Sequence, residues 1–186
     1  MKIFVVGYVA LAGALVIVKE ARKQLEARFT GRFLDGLVAL QEALDTNALI
    51  ENLAANHPRL VVYPLADSGI LGGLWEIGQA REIGIRFSLL QIPMKQEIIE
   101  VTEQYRLNPY HLASAGSYLL LVDDDDREAK EAISALCDSS GLPWAVIGST
   151  NDSGKIIDAG LGKRRYVDRP PIPALEKWYA SRQDER

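Results

Sequence analysis

The 186-residue sequence predicts an α/β (α+β) fold, a mixed sheet covered by helices on at least one face. Two observations carry that expectation. Short apolar runs suited to buried strands alternate with longer stretches of helical periodicity, and the last third breaks into short strands joined by glycine-containing turns. Hydrophobic residues at 48% and charged residues at 25% describe an ordinary packed core. A chain of this length buries roughly 70% of the surface its unfolded form exposes. With no repeat or low-complexity linker to divide it, 1–186 is read as one domain.

The elements follow in order. Lys2 to Val6 reads as a buried strand, followed by a glycine-bearing turn and a helix to about Arg28. The 16 small or apolar residues from Ile3 to Val18 approach the length of an export signal or short membrane anchor. Gly7 and Gly13 interrupt that run, and Lys19 to Glu26 continue a helical pattern directly out of it, which favours strand and helix. Thr30 or Gly31 opens a second helix whose stripe runs from Phe33 to Leu44. Asn47 to Asn56 makes a third, which His57-Pro58 ends because proline disfavours helical geometry in the residue before it. Strands then fall at 60–63, 85–90, 117–122, 144–148, 155–159 and 164–167. Helices fall at 70–83, 94–105 and 127–137, and a last one runs through Trp178.

Charge and cysteine content exclude several functions. Net charge is -4, and no stretch concentrates Lys and Arg without intervening acids, so nucleic acid is not an expected partner, and neither is a membrane. Cys137 is the single cysteine, which rules out a disulfide framework and implies a reducing, cytoplasmic setting. Its spacing from Ile133 and Leu136 suits a packed, inert thiol. His57 and His111 lack the i,i+4 spacing of a helical zinc site and read as surface or turn residues. Asp123-Asp124-Asp125-Asp126 precedes a helix, where carboxylates cap the first turn and complement its dipole more readily than they gather a metal. Arg164 to Pro173 reads as an edge strand leading into an extended segment across the domain, with Trp178 and Tyr179 anchoring the final helix.

The segment from Leu65 to Glu76 places a glycine-rich turn between a strand and a helix. The first N–H groups of a helix have no internal partner, so Asp67, Ser68, Gly69, Gly72 and Gly73 form a candidate phosphate or small-anion site. A larger side chain at Ser68 or Gly69 is then expected to abolish anion binding without unfolding the domain. The plainer reading keeps Asp67 or Ser68 as an N-cap and the glycines as points of close helix-to-sheet packing. The spacing matches neither the P-loop nor the dinucleotide fingerprint.

Val62 to Glu76, with Gly84, Ile92-Pro93, Gln96-Glu97, Leu107 to Tyr110, Ser114 to Ser117 and Val146 to Gly148, resembles the C-terminal domain of the ATP-using aminoimidazole-ribonucleotide (AIR) synthetase-related family. The likeness is greatest to its HypE-like hydrogenase maturation factors, and Gly7 to Ala14, Arg28-Phe29 and Arg32-Phe33 resemble the start of that domain. The resemblance implies a three-layer α/β/α domain, partly ferredoxin-like. It also implies that the acidic magnesium ligands and most of a dimeric ATP site belong to a separate N-terminal domain, which this chain does not contain. The sequence departs from the family pattern at several positions. Tyr63-Pro64 stands where the family shows a His-Asp pair, Ser68 replaces a glycine, Ala14 replaces a threonine, and the end at Gln183 to Arg186 lacks the HypE cysteine.

These substitutions remove groups that acid/base or metal chemistry would use, so no catalytic or metal-binding residue is assigned. The expected protein is a non-catalytic, self-associating module that holds a small anion and has no cofactor of its own. The alternative is one subunit of a split enzyme, taking up ATP and magnesium only when a separate N-terminal-type domain completes it. Met1 and the untagged end suit a complete reading frame better than an excised fragment.

Overall fold

The computed structural model describes residues 1–160 and 164–184; Glu185 and Arg186, part of the cysteine-free end read above, lie outside the described residues. The chain opens with β1 (Lys2–Val6), followed by the helices α1 (Leu11–Leu25), α2 (Gly31–Val38) and α3 (Asn47–Asn56). Next come β2 (Val61–Pro64), α4 (Gly69–Ala80), β3 (Gly84–Phe87), α5 (Gln96–Gln104), β4 (Tyr118–Val122) and α6 (Arg127–Ser140). The longer strand β5 (Trp144–Asn151) and the short strands β6 (Ile156–Asp158) and β7 (Arg165–Tyr166) lead to α7 (Ala174–Asp184).

All seven strands form one mixed sheet in the order β2-β4-β1-β5-β3-β6-β7. Every neighbouring pair is antiparallel except β3 and β6. The β2-β4-β1-β5 half has the strand order and directions of a ferredoxin-like sheet, and β3, β6 and β7 extend it on one side. Alternation along the strands sorts the core into two layers. Ile3 and Val5 of β1, with Leu119 and Leu121 of β4, face a large cluster built with α1, α2, α4, α5 and α7. Phe4, Val6, Leu120 and Val122 face a smaller one, where α3 contributes Ile50 and Leu53 and α6 contributes Ala129, Ile133 and Cys137. The three-layer α/β/α architecture is therefore present, and the apolar run 3–18 is spent on β1 and α1. Among the described residues, no helix is long and apolar enough to cross a membrane.

The main differences from the sequence expectations are local. The stripe read as one helix from Gly31 to Leu44 breaks after Val38 and resumes as a 3-10 turn, Gln41–Leu44, whose backbone packs against Gly116. The strand expected over 85–90 ends at Phe87, because Leu89–Gln91 turns into a 3-10 helix. The strand expected over 144–148 continues to Asn151 past a bulge: Ile3 pairs with Gly148 and Phe4 with Val146, leaving Ile147 as the extra residue. Gly148 is required there, since a Cβ would sit 2.7 Å from the Phe87 Cα.

The loop from Pro109 to Ser117 ties the larger helical layer together. Gly13 of α1 donates its N–H to the Ala113 carbonyl at 2.9 Å, and Ala10, just before α1, donates to Ser114 Oγ at 2.9 Å. Ser114 Oγ donates in turn to the Leu112 carbonyl at 2.8 Å, and the Ser114 N–H donates to the Ala66 carbonyl at 3.1 Å. One loop thus holds the start of α1 and the approach to α4, and Ser114 is fully buried between them. Ser114→Ala would leave the Ala10 N–H buried without an acceptor, at a cost of about 1–3 kcal/mol. Urea unfolding should show that loss; an unchanged midpoint would mean that the loop does not depend on this hydroxyl.

Candidate functional site

The glycine turn forms as expected between β2 and α4, and the structure shows what occupies it. Gly69, Gly72 and Gly73 are all buried. Gly69 has φ of +68°, and a Cβ there would meet the Tyr110 carbonyl oxygen at 2.5 Å and that of Leu112 at 2.8 Å. The expectation that Gly69 accepts a larger side chain without structural cost is therefore corrected, because the obstacle is backbone. A Cβ on Gly72 would strike Ser68, and one on Gly73 would strike the Leu65 side chain. These glycines permit close packing around the first two turns of α4. Asp67 is exposed. Ser68 occupies the N-cap position, yet no side chain caps α4.

The hydroxyl of Ser68 is used elsewhere, donating to Glu76 Oε1 at 3.0 Å. The Tyr63 hydroxyl donates to Glu76 Oε2 at 2.5 Å. Both oxygens of the Glu76 carboxylate are thus engaged, one by Tyr63 and one by Ser68. Nothing in the sequence motif announces this: Tyr63 lies on β2, and only the strand-to-helix turn brings it opposite the second turn of α4. Burial, then the hydrogen bond and charge of Glu76, push the Tyr63 phenol up to about 12. At neutral pH the Tyr63 phenol stays protonated, and its bond to Glu76, with that of Ser68, ties β2 and the turn to α4.

The other sequence candidates lie apart from the turn or serve structure. His111 borders it; burial and the Lys177 charge lower its pKa, against a hydrogen bond with the Ser68 backbone, so the imidazole is neutral near pH 7. Beside it, Leu71, Tyr110, Arg165 and Arg169 help line an open cleft of about 300 Å³. His57 is the C-cap of α3. Cys137 is buried, and burial first and Asp138 second push its thiol up to about 11, an inert state at neutral pH. Asp126 caps α6 by accepting the Ala129 N–H at 3.0 Å. Asp123 and Asp125 pair with Arg59 at 2.8 and 2.6 Å, and Asp124 pairs with the N-terminal ammonium at 3.2 Å. Among the described residues, no group of three or more His, Cys, Asp or Glu is placed to hold a metal ion. In the C-terminal segment, β7 is the edge strand expected from Arg164 to Val167, and Trp178 is buried. Tyr179 is 40% exposed and holds Glu20 through its hydroxyl at 2.7 Å, so it anchors α7 by a polar contact where apolar burial was expected.

The raised Tyr63 pKa has a signed consequence. The folded state favours the protonated phenol, so its contribution to stability is complete below pH 10 and is lost as pH rises from 10 towards 12. Urea midpoints at pH 9 and pH 11 should therefore differ less in Tyr63→Phe than in the wild type. An equal alkaline loss in both would place the titrating group elsewhere.

Comparison with known proteins follows the same lines. The profile of the AIR synthase related protein, C-terminal domain, matches residues 38–159. A search of curated proteins finds no match. Among solved structures, HypE in a HypE–HypF complex superimposes with a TM-score of 0.68 at 23% identity, over 91% of this chain and 52% of that one. HypE from E. coli gives 0.71 at 21% identity, over 94% and 51%. Thiamine-monophosphate kinase from Stenotrophomonas maltophilia gives 0.52 at 17% identity, over 83% and 48%. At these identities the superpositions speak for the fold, and this chain spans about half the length of the structures it matches. The family profile covers well over half of the sequence, so this chain belongs to the AIR synthase related protein C-terminal domain family.

Proposed function

We propose that this chain is a non-catalytic, self-associating module built on the AIR synthase-related C-terminal domain. The observation that carries the reading is the engagement of Glu76 by Tyr63 and Ser68. The two hydrogen bonds fix the Glu76 side chain in one position, and a phenol held protonated beside it offers no base at neutral pH. The departures from the family pattern thus exchange ionisable or flexible positions for a fixed hydrogen-bonded lock. The turn remains the place where a small anion would be held, since no side chain caps α4. The carbonyls of Tyr110 and Leu112 beside Gly69 limit such binding to low affinity.

A second reading rests on length. This chain corresponds to about half of each HypE structure, so a separate polypeptide carrying the other half would complete a composite ATP site. The two readings separate in one set of measurements on the purified protein: ATP hydrolysis, phosphate and ATP titration, and native mass. The module predicts an oligomer that releases phosphate from ATP no faster than buffer and binds inorganic phosphate only weakly. Hydrolysis by this chain alone would overturn it. A monomer that gains ATP affinity only on mixing with an N-terminal-type domain would establish the split enzyme instead.

A further inference from the structure

The smaller helical layer covers only half of the sheet. Its helices α3 and α6 pack their apolar residues against β1, β2 and β4 and the beginning of β5. On the same side of the sheet, strand pairing sets out a second, bare half. Lys2 pairs with Ser149, Ser149 with Arg86, Arg86 with Ile157 and Ile157 with Tyr166, and paired residues share a face. This row carries two cations and no carboxylate. Val146, one alternation along β5, is 38% exposed and Tyr166 is 62% exposed. Neither Lys2 nor Arg86 is given an acidic partner among the described residues.

Next to the bare half stands α6, one helix layer or about 10 Å high. Its inward stripe is Ala129, Ile133 and Cys137. Its outward positions Glu128, Glu131, Ala135 and Asp138 are exposed, and three of the four are acids. Asp123 to Asp126 are engaged by Arg59, the N-terminus and the helix cap, so the charge of the stripe comes from Glu128, Glu131 and Asp138. Glu131 pairs only with Arg127, at 2.6 Å on an exposed helix surface, and such a pair exchanges partners at little cost.

From this step and its charges we infer that the bare half-sheet docks the α6 of a second copy of this chain. A twofold axis along the strand direction would lay each α6 on the other copy's bare half, with the acidic stripe over Lys2 and Arg86. The contact is isologous and closes at two copies. Strands β5, β3, β6 and β7 lie about 4.8 Å apart and present about 13, 13, 10 and 7 Å of bare length, a footprint of roughly 200 Å². Counting the bare half and α6 on both copies gives roughly 800 Å² buried in total, below the usual size of a specific interface, so the dimer is a weak one. This inference rests on the self-association proposed above and adds the surface that performs it.

Charge reversal tests it. Wild type, Arg86→Glu and the double variant Glu128→Lys/Glu131→Lys would be followed by light scattering at concentrations up to about 200 µM, with circular dichroism to confirm folding. The wild type should pass from monomer to dimer, and each variant alone should weaken dimerisation by at least about tenfold. Mixing the two variants should restore a dimer, because each reversed surface then meets its complement. A wild-type dimer unaffected by Arg86→Glu, or folded variants that stay monomeric when mixed, would overturn the α6-on-sheet contact while leaving self-association standing. A wild type that is monomeric throughout would remove both.

Discussion

The loop from Pro109 to Ser117 is the contact on which the larger layer depends. It supplies acceptors to the start of α1 through Ala113 and Ser114 and takes a carbonyl from Ala66 just ahead of α4. Helix starts expose unpaired N–H groups; the loop accepts those at the start of α1, whereas ahead of α4 it binds a carbonyl and no side chain caps that helix. That arrangement accounts for both glycine turns. Gly13 must be small because Leu112 fills the space beside it, and Gly69 because the Tyr110 and Leu112 carbonyls do. The glycine-rich signature is in this chain first a packing feature, and any ligand chemistry must work around the loop that occupies it.

Much of the architecture could be read from periodicity. The strand segments Ile3–Val6 and Tyr118–Val122 are continuous apolar runs because both of their faces are covered, and α3 begins and ends where the Asn47 and His57-Pro58 signals place it. Boundaries failed where tertiary contacts intervened, as at Val38, where the following turn packs on Gly116, and at Phe87, where the chain leaves the sheet. The site was half legible. Its glycines and Ser68 lie within eight residues of one another, so spacing alone revealed them. Tyr63 and Glu76 are joined through the strand-to-helix turn, and Arg59 reaches Asp123 across 64 residues of sequence. Such partners carry no local signal.

The likeness to HypE and the departures from its family pattern fit one description. The fold superimposes on HypE over 94% of this chain, while here the polar positions near the turn are spent on internal bonds. The acidic run 123–126 follows the same pattern: Asp126 caps α6, and the other three hold Arg59 and the N-terminus.

The bulge at Ile147 decides more than local pairing. By adding one residue between Val146 and Gly148, it lets Trp144 reach Phe4 and Asp138 beneath α6 while Ser149 and Arg86 still share the opposite end of the same face. Loss of that single residue would invert one end of β5 relative to the other, exchanging inside for outside along half the strand. The spacing between Trp144 and Ser149 is therefore fixed.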